Sequence, residues 1–271
     1  PPLTFADPLR RFSMSYPADY FAWMPVMAGQ PVEDYTVQFF ADTAENHAVV
    51  EGPPAGEAGE APGREGPTGI MVNIYRKKPS QDLRSWLAGT PESNFQLGDK
   101  QTTATTLAGR EALGYHWSGL YEGESIATIL NDEEVLVLSA TYISPDDKTS
   151  QDWPKFVNGF DWEVPPIVLD SITVGSEIAS PLTVTGRAVG PWFFEASFPI
   201  NVVDWDGRII AEAVAQAEGE WMTTDYVPFS ATLTFTPPPG NIARGAIIFK
   251  KDNPSGLPEH DDAIELPIRF K

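Results

Sequence analysis

The sequence predicts an antiparallel α+β domain over 1–164 followed by an all-β sandwich over 165–271. Three observations carry that expectation. The chain has 271 residues, more than one compact core usually takes. Its texture changes at Pro165-Pro166, a pair that stops a preceding helix and stiffens a linker. Beyond that point short β-rich stretches alternate with turn residues and no helical period appears.

In the first half, Phe12-Ser-Met-Ser-Tyr16 alternates large apolar and small polar residues, the period of a half-buried strand, and Pro17 ends it. Thr36–Phe40 and Gly69–Tyr75 are made almost entirely of β-formers and predict two more strands. Ser80 is placed as the N-cap of a short helix through Leu87, with Leu83, Trp86 and Leu87 on one face and Gly89 as its stop. Thr102–Leu107, Arg110–Tyr121, Ser125–Leu130 and Val135–Tyr142 predict a meander, the last pair joined by the polar turn Asn131-Asp-Glu-Glu134. Trp153, Phe156, Val157 and Phe160 recur at helical spacing and predict a closing helix over Asp152–Phe160. Between His47 and Thr68 the Gly- and Pro-laden stretch Glu51–Pro67 has almost nothing to bury and reads as a mobile excursion between strands. Such acidic tracts are more often solvated linkers than binding loops.

Strands in the second half are expected at Ile167–Val174, Leu182–Val189, Phe198–Asp204, Arg208–Ala217, Val227–Phe235, Gly245–Lys250 and Ala263–Phe270. Asp204-Trp-Asp-Gly207 supplies a hairpin turn, since glycine accepts a positive φ.

Charge narrows the partners. Lys and Arg number 18 against 38 Asp and Glu, a net charge of -20. Up to Val164 there are 11 basic and 24 acidic residues, and beyond it 7 and 14, so both halves are acidic. The densest basic cluster is Arg76-Lys77-Lys78, too little for a phosphate backbone or an anionic membrane surface. Nucleic acid is therefore not an expected partner. No cysteine is present, which removes disulfides, thiolate nucleophiles and cysteine-held zinc. No apolar stretch approaches the roughly 18 residues that span a bilayer, so this segment is not expected to insert into a membrane. The start at Pro1-Pro2, without an initiator Met, suggests an export signal upstream, with a lipoprotein anchor as one form of it.

The residues offer no catalytic or cofactor motif. His47, His116 and His260 are isolated, and a packed or edge histidine is the ordinary reading of each. Trp117-Ser-Gly119 and Pro254-Ser-Gly256 lack the strand-to-helix elbow that exposes a nucleophilic serine. Neither a His-Glu-x-x-His zinc motif nor a phosphate-binding glycine loop occurs, so no cofactor or metal is assigned. Asp204 with Asp206, and Asp252 with Asp261 and Asp262, could offer oxygens to calcium, but turn aspartates usually bond their own backbone. Aromatic residues are the better recognition candidates. Trp192 and Phe193 follow Gly190-Pro191, a bend that can present large side chains, with core filling as the competing reading. Trp205, flanked by two aspartates at a turn tip, is the residue most expected at the surface.

Four separated blocks add a resemblance. Ser180–Ala188, Phe193–Pro199, Val203-Asp-Trp-Asp-Gly207 with Ile210-Ala-Glu212, and Phe229–Phe235 resemble the bacterial spore-germination immunoglobulin-like domain of the Gmad type. The resemblance implies an immunoglobulin-like sandwich over 165–271. It also implies the company of secreted or lipid-anchored bacterial proteins, with no enzyme activity attached to the module. Phe12-Ser-Met-Ser-Tyr-Pro17 and the order of strands, short helix, meander and closing helix resemble the PsbP fold over 1–164. The expected protein is thus a non-enzymatic, extracytoplasmic binding or scaffolding module for an envelope protein or glycan. The alternative is a hydrolase with acidic catalytic residues in the first domain.

Overall fold

The computed structural model describes residues 1–25, 35–51, 66–238 and 243–271. Most of the tract Glu51–Pro67, expected above to be an excursion, lies outside the described residues. The fold divides into two compact units, one built from Pro1–Phe5 and most of 13–162, the other from Ala6–Phe12 and Glu163–Lys271.

The first unit contains β1 (Leu3–Ala6), β2 (Phe12–Tyr16), β3 (Tyr20–Trp23), β4 (Tyr35–Ala41), α1 (Ala44–Glu51), β5 (Ile70–Arg76) and α2 (Leu83–Gly89). It continues with β6 (Thr103–Leu107), β7 (Arg110–Ser118), β8 (Glu122–Asn131), β9 (Glu134–Tyr142), α3 (Lys148–Gly159) and β10 (Phe160–Trp162). Seven strands form an antiparallel sheet in the order β3-β4-β5-β9-β8-β7-β6, and β1-β2-β10 form a second small sheet.

Period-two alternation distributes the core over both faces of the large sheet. Val135 and Val137 of β9 face the α2 side, where Trp86, Leu87, Phe95, Tyr115 and Trp117 close a cluster. Leu136, Leu138 and Ala140 face the other side, the face of Phe39 on β4, which meets Phe156 of α3 at 5.5 Å between ring centroids. β9 is therefore buried on both faces, which is why its sequence is the most continuously apolar. Each fully buried side chain of this kind contributes about 1.5–3 kcal/mol.

Local signals account for the helix ends with two corrections. The N-cap of α2 is Asp82, whose Oδ1 accepts the Ser85 N–H at 2.9 Å. Ser80, expected to cap it, instead sits in a left-handed turn at φ 59° with its N–H donated to Asp132 Oδ1. α3 begins at Lys148, before the expected Asp152, and passes through Pro154, so its inward residues Trp153 and Phe156 were legible while its start was not. Phe160 is the first residue of β10.

The second unit is β11 (Ile167–Leu169), β12 (Glu177–Ile178), β13 (Leu182–Val189), β14 (Ser197–Asp204), β15 (Ile209–Ala217), β16 (Tyr226–Leu233), β17 (Arg244–Lys250) and β18 (Ala263–Phe270). They run in the order β11-β13-β16-β15-β14-β17-β18-β12, antiparallel except for β12 beside β18. β15 pairs with β14 along its length but with β16 only at Gln216↔Ser230 and Ala217↔Phe229. The strands therefore separate into two layers joined at that corner. Phe229 of β16 lies 5.0 Å from Phe198 of β14 and 6.4 Å from Phe249 of β17, so the layers face one another across an aromatic core. This is the immunoglobulin-like sandwich expected in the second half of the chain.

Candidate binding surface

The surface is assembled by the hairpin between β14 and β15. Gly207 takes φ 76°, a conformation that side chains with a Cβ rarely adopt, and its N–H donates to the Asp204 carbonyl at 3.0 Å. The Asp204 side chain is buried beneath the turn and organises it. Oδ1 accepts the N–H groups of Asp206 at 3.1 Å and Arg208 at 2.9 Å, while Oδ2 meets the Arg208 guanidinium at 2.9 Å. Burial pushes this carboxyl up, but the two backbone donors and Arg208 outweigh it and hold it below the usual carboxylate range. Asp204 thus spends its oxygens on its own turn, as an Asx-type residue does.

With Asp204 turned inward, Trp205 is left at the tip with 50% of its surface exposed. The bend at Gly190–Trp192 does the reverse. Trp192 is 2% exposed and Phe193 4%, so these two residues are withdrawn as surface anchors. The bend itself is closely packed. The Cβ of any residue at position 190 would lie 1.8 Å from the Thr223 carbonyl oxygen, so glycine lets the 221–225 loop close directly over the bend. Phe193 then packs edge-on against Phe198 at 5.1 Å, and Asp252 N–H bonds the Trp192 carbonyl. Only Phe194 of this group reaches the surface.

Three of the aspartates offered to a cation are otherwise engaged, Asp204 by its own turn and two more elsewhere. Asp262 binds the Arg10 guanidinium through both oxygens, and Asp261 accepts from Asn253 Nδ2 at 2.7 Å. Among the described residues no three acidic or histidine side chains converge as a metal set would.

The acidic chemistry of the first unit centres on Asp152. Its oxygens meet Lys148 Nζ at 2.6 Å and Lys155 Nζ at 2.7 Å, and Lys148 also binds Asp19 at 2.6 Å. Burial pushes Asp152 up, yet the two ammonium groups hold it below its usual range. Nearby Tyr20 is pushed up to about 12, by burial first and then by the Asp152 charge. Asp19, Asp82, Asp147 and Asp262 are lowered as well. A general acid working near neutrality needs the opposite shift.

The histidines lie apart, His116 on β7, His47 on α1 and His260 in a loop turn. His116 Nε2 lies 3.1 Å from Glu122 on an exposed strand pair, and His47 stacks on Phe21 beside Asp42. Sequence reading missed one approach, Ser255 Oγ to His260 Nδ1 at 3.0 Å. It braces an exposed loop, where Ser255 also meets Asn253 Oδ1 and accepts the Leu257 N–H.

The second unit is therefore an immunoglobulin-like module with an exposed aromatic on a braced turn. Residues 167–256 match the family model described as the immunoglobulin-like domain of bacterial spore germination, Gmad2, as the four sequence blocks suggested. No curated protein matches the chain.

Proposed function

We propose that the chain is a non-enzymatic binding or scaffolding protein of the bacterial cell envelope or exterior, exported and held there by a lipid anchor or released. In this reading 165–271 is an independent recognition module and 1–164 is a PsbP-like α+β domain that carries or positions it. The observation that carries the reading is Trp205, a large aromatic kept half in water by a turn whose own carboxylate is buried to brace it. Surface aromatics on rigid scaffolds are the usual anchors of protein and glycan recognition.

Cosedimentation of the full chain with purified bacterial cell envelopes tests this. Trp205→Ala is expected to weaken association several-fold with an unchanged thermal transition. Equal association by the variant would remove the anchor from the account.

A further inference from the structure

The layer that holds Trp205 also has an open edge. From Ile209 to Ala215, β15 is paired on one side only, with β14, and among the described residues no strand occupies the other side. Hydrogen bonding sets which groups face outward. Ala217 N–H donates to the Ala196 carbonyl on the β14 side, so by alternation 215, 213 and 211 turn their backbone groups to β14. Glu218 N–H donates the other way, to Pro228 on β16. Glu212 and Val214 therefore direct their N–H and C=O groups at the vacant side.

Exposed edges invite strand pairing, and folded proteins blunt them with short strands, proline, lysine or a bulge. The other two ends of this strand order are blunted, since β11 has three residues and β12 two. β15 has nine, no lysine and no proline, and its one bulge lies at the Ile210 end. Its edge carries exposed apolar side chains, Ile209 at 49% and Val214 at 52%. Trp205 stands at the turn that leads into it. Between Asp204 and Asp225 there are six acidic residues and one basic residue, Arg208, which is already bound to Asp204. Asp206, Glu212, Glu218, Glu220 and Asp225 are all exposed.

The geometry points to strand addition at this edge by an extended, basic segment of a protein partner, with backbone pairing at Glu212 and Val214 and contact to Trp205 at one end. The acidic rim selects a cationic occupant and opposes a second copy of a chain that carries a charge of -20. This rests on the recognition reading above and specifies what is recognised.

The full chain is titrated with a soluble synthetic peptide of alternating valine and lysine, and with its valine–glutamate counterpart, while backbone amide exchange is followed. The lysine peptide is expected to slow exchange at Glu212 and Val214 and to leave Ala211, Ala213 and Ala215 unchanged. Val214→Pro removes an outward N–H at an edge position, where proline is tolerated, and is expected to weaken binding roughly ten-fold through lost backbone pairing while the protein still melts cooperatively. Glu212→Lys is expected to turn the preference toward the glutamate peptide. If Val214→Pro folds poorly, Glu212→Pro probes the neighbouring outward N–H, and the exchange pattern of the unaltered chain needs no variant.

Absence of protection at those two amides at the highest soluble peptide concentration overturns the proposal. So does equal binding of the two peptides, or binding indifferent to Val214→Pro. Self-association that Val214→Pro dissolves, seen by sedimentation, assigns the edge to a second copy instead. Envelope association lost with Trp205→Ala while the edge amides stay unprotected sinks strand addition alone, leaving the recognition reading in place.

Discussion

Two turns of the second unit each carry a tryptophan and treat it in opposite ways. At Gly190–Trp192 the Thr223 carbonyl closes on the Gly190 backbone and the indole is enclosed, while at Asp204–Gly207 a buried carboxylate holds the turn from beneath and leaves Trp205 outside. What decides the fate of each aromatic is the neighbour that takes the inward position. A glycine admits another loop and seals the bend, whereas an aspartate that needs its own backbone donors fills the inner site and pushes the ring out.

That contrast can be broken most forcefully at Trp192. Trp192→Ala empties an enclosed site and is expected to cost about 3–5 kcal/mol, read by chemical denaturation. A loss below about 1 kcal/mol would mean that the bend is less sealed than its geometry indicates.

Asp204→Asn comes next and carries a pH signature. Because the carboxyl lies below its usual value in the folded chain, its stabilisation is fully present above the ordinary carboxylate pKa. It is lost as the pH falls through the depressed folded value. The variant should therefore melt lower than the native chain at neutral pH, and the gap should close below about pH 4. A gap that persists unchanged into acid would show that the charge of Asp204 contributes nothing to the turn.

The smallest effect is expected at the other end of β14. There Glu195 and Ala196 occupy a two-residue turn at φ 50° and 60°, a left-handed conformation without glycine. Ala196→Gly relieves a backbone cost of about 1–2 kcal/mol and adds unfolded-state freedom of about 0.5–1 kcal/mol, for a net gain of about 0.5 kcal/mol. An unchanged or lowered melting temperature would count against strain there.

Much of this architecture could be read before the structure. β2, β13 and β18 fall at the expected residues because alternation, proline and turn glycines mark them locally. β1, β3 and β10 were missed because strands of three or four residues are too short to show a period. α1 was missed because its apolar residues do not gather on one face. Trp205 was legible as a turn-tip residue before Gly207, but the expectation that both flanking aspartates face water fails at Asp204, which is buried because its own turn and Arg208 satisfy its oxygens. The fate of Trp192 was not legible, since its burial is a product of tertiary packing that no local pattern marks. The open edge of β15 was equally hidden, because which strand lacks a neighbour is a property of tertiary pairing.

The most direct test of the recognition reading follows the indole itself. The emission of Trp205, isolated as the difference between the native chain and Trp205→Phe, is recorded while solubilised envelope proteins are added. The account predicts a blue shift and loss of acrylamide quenching as Trp205 leaves water. Emission that stays red-shifted and fully quenchable while the chain demonstrably binds the added material would contradict it.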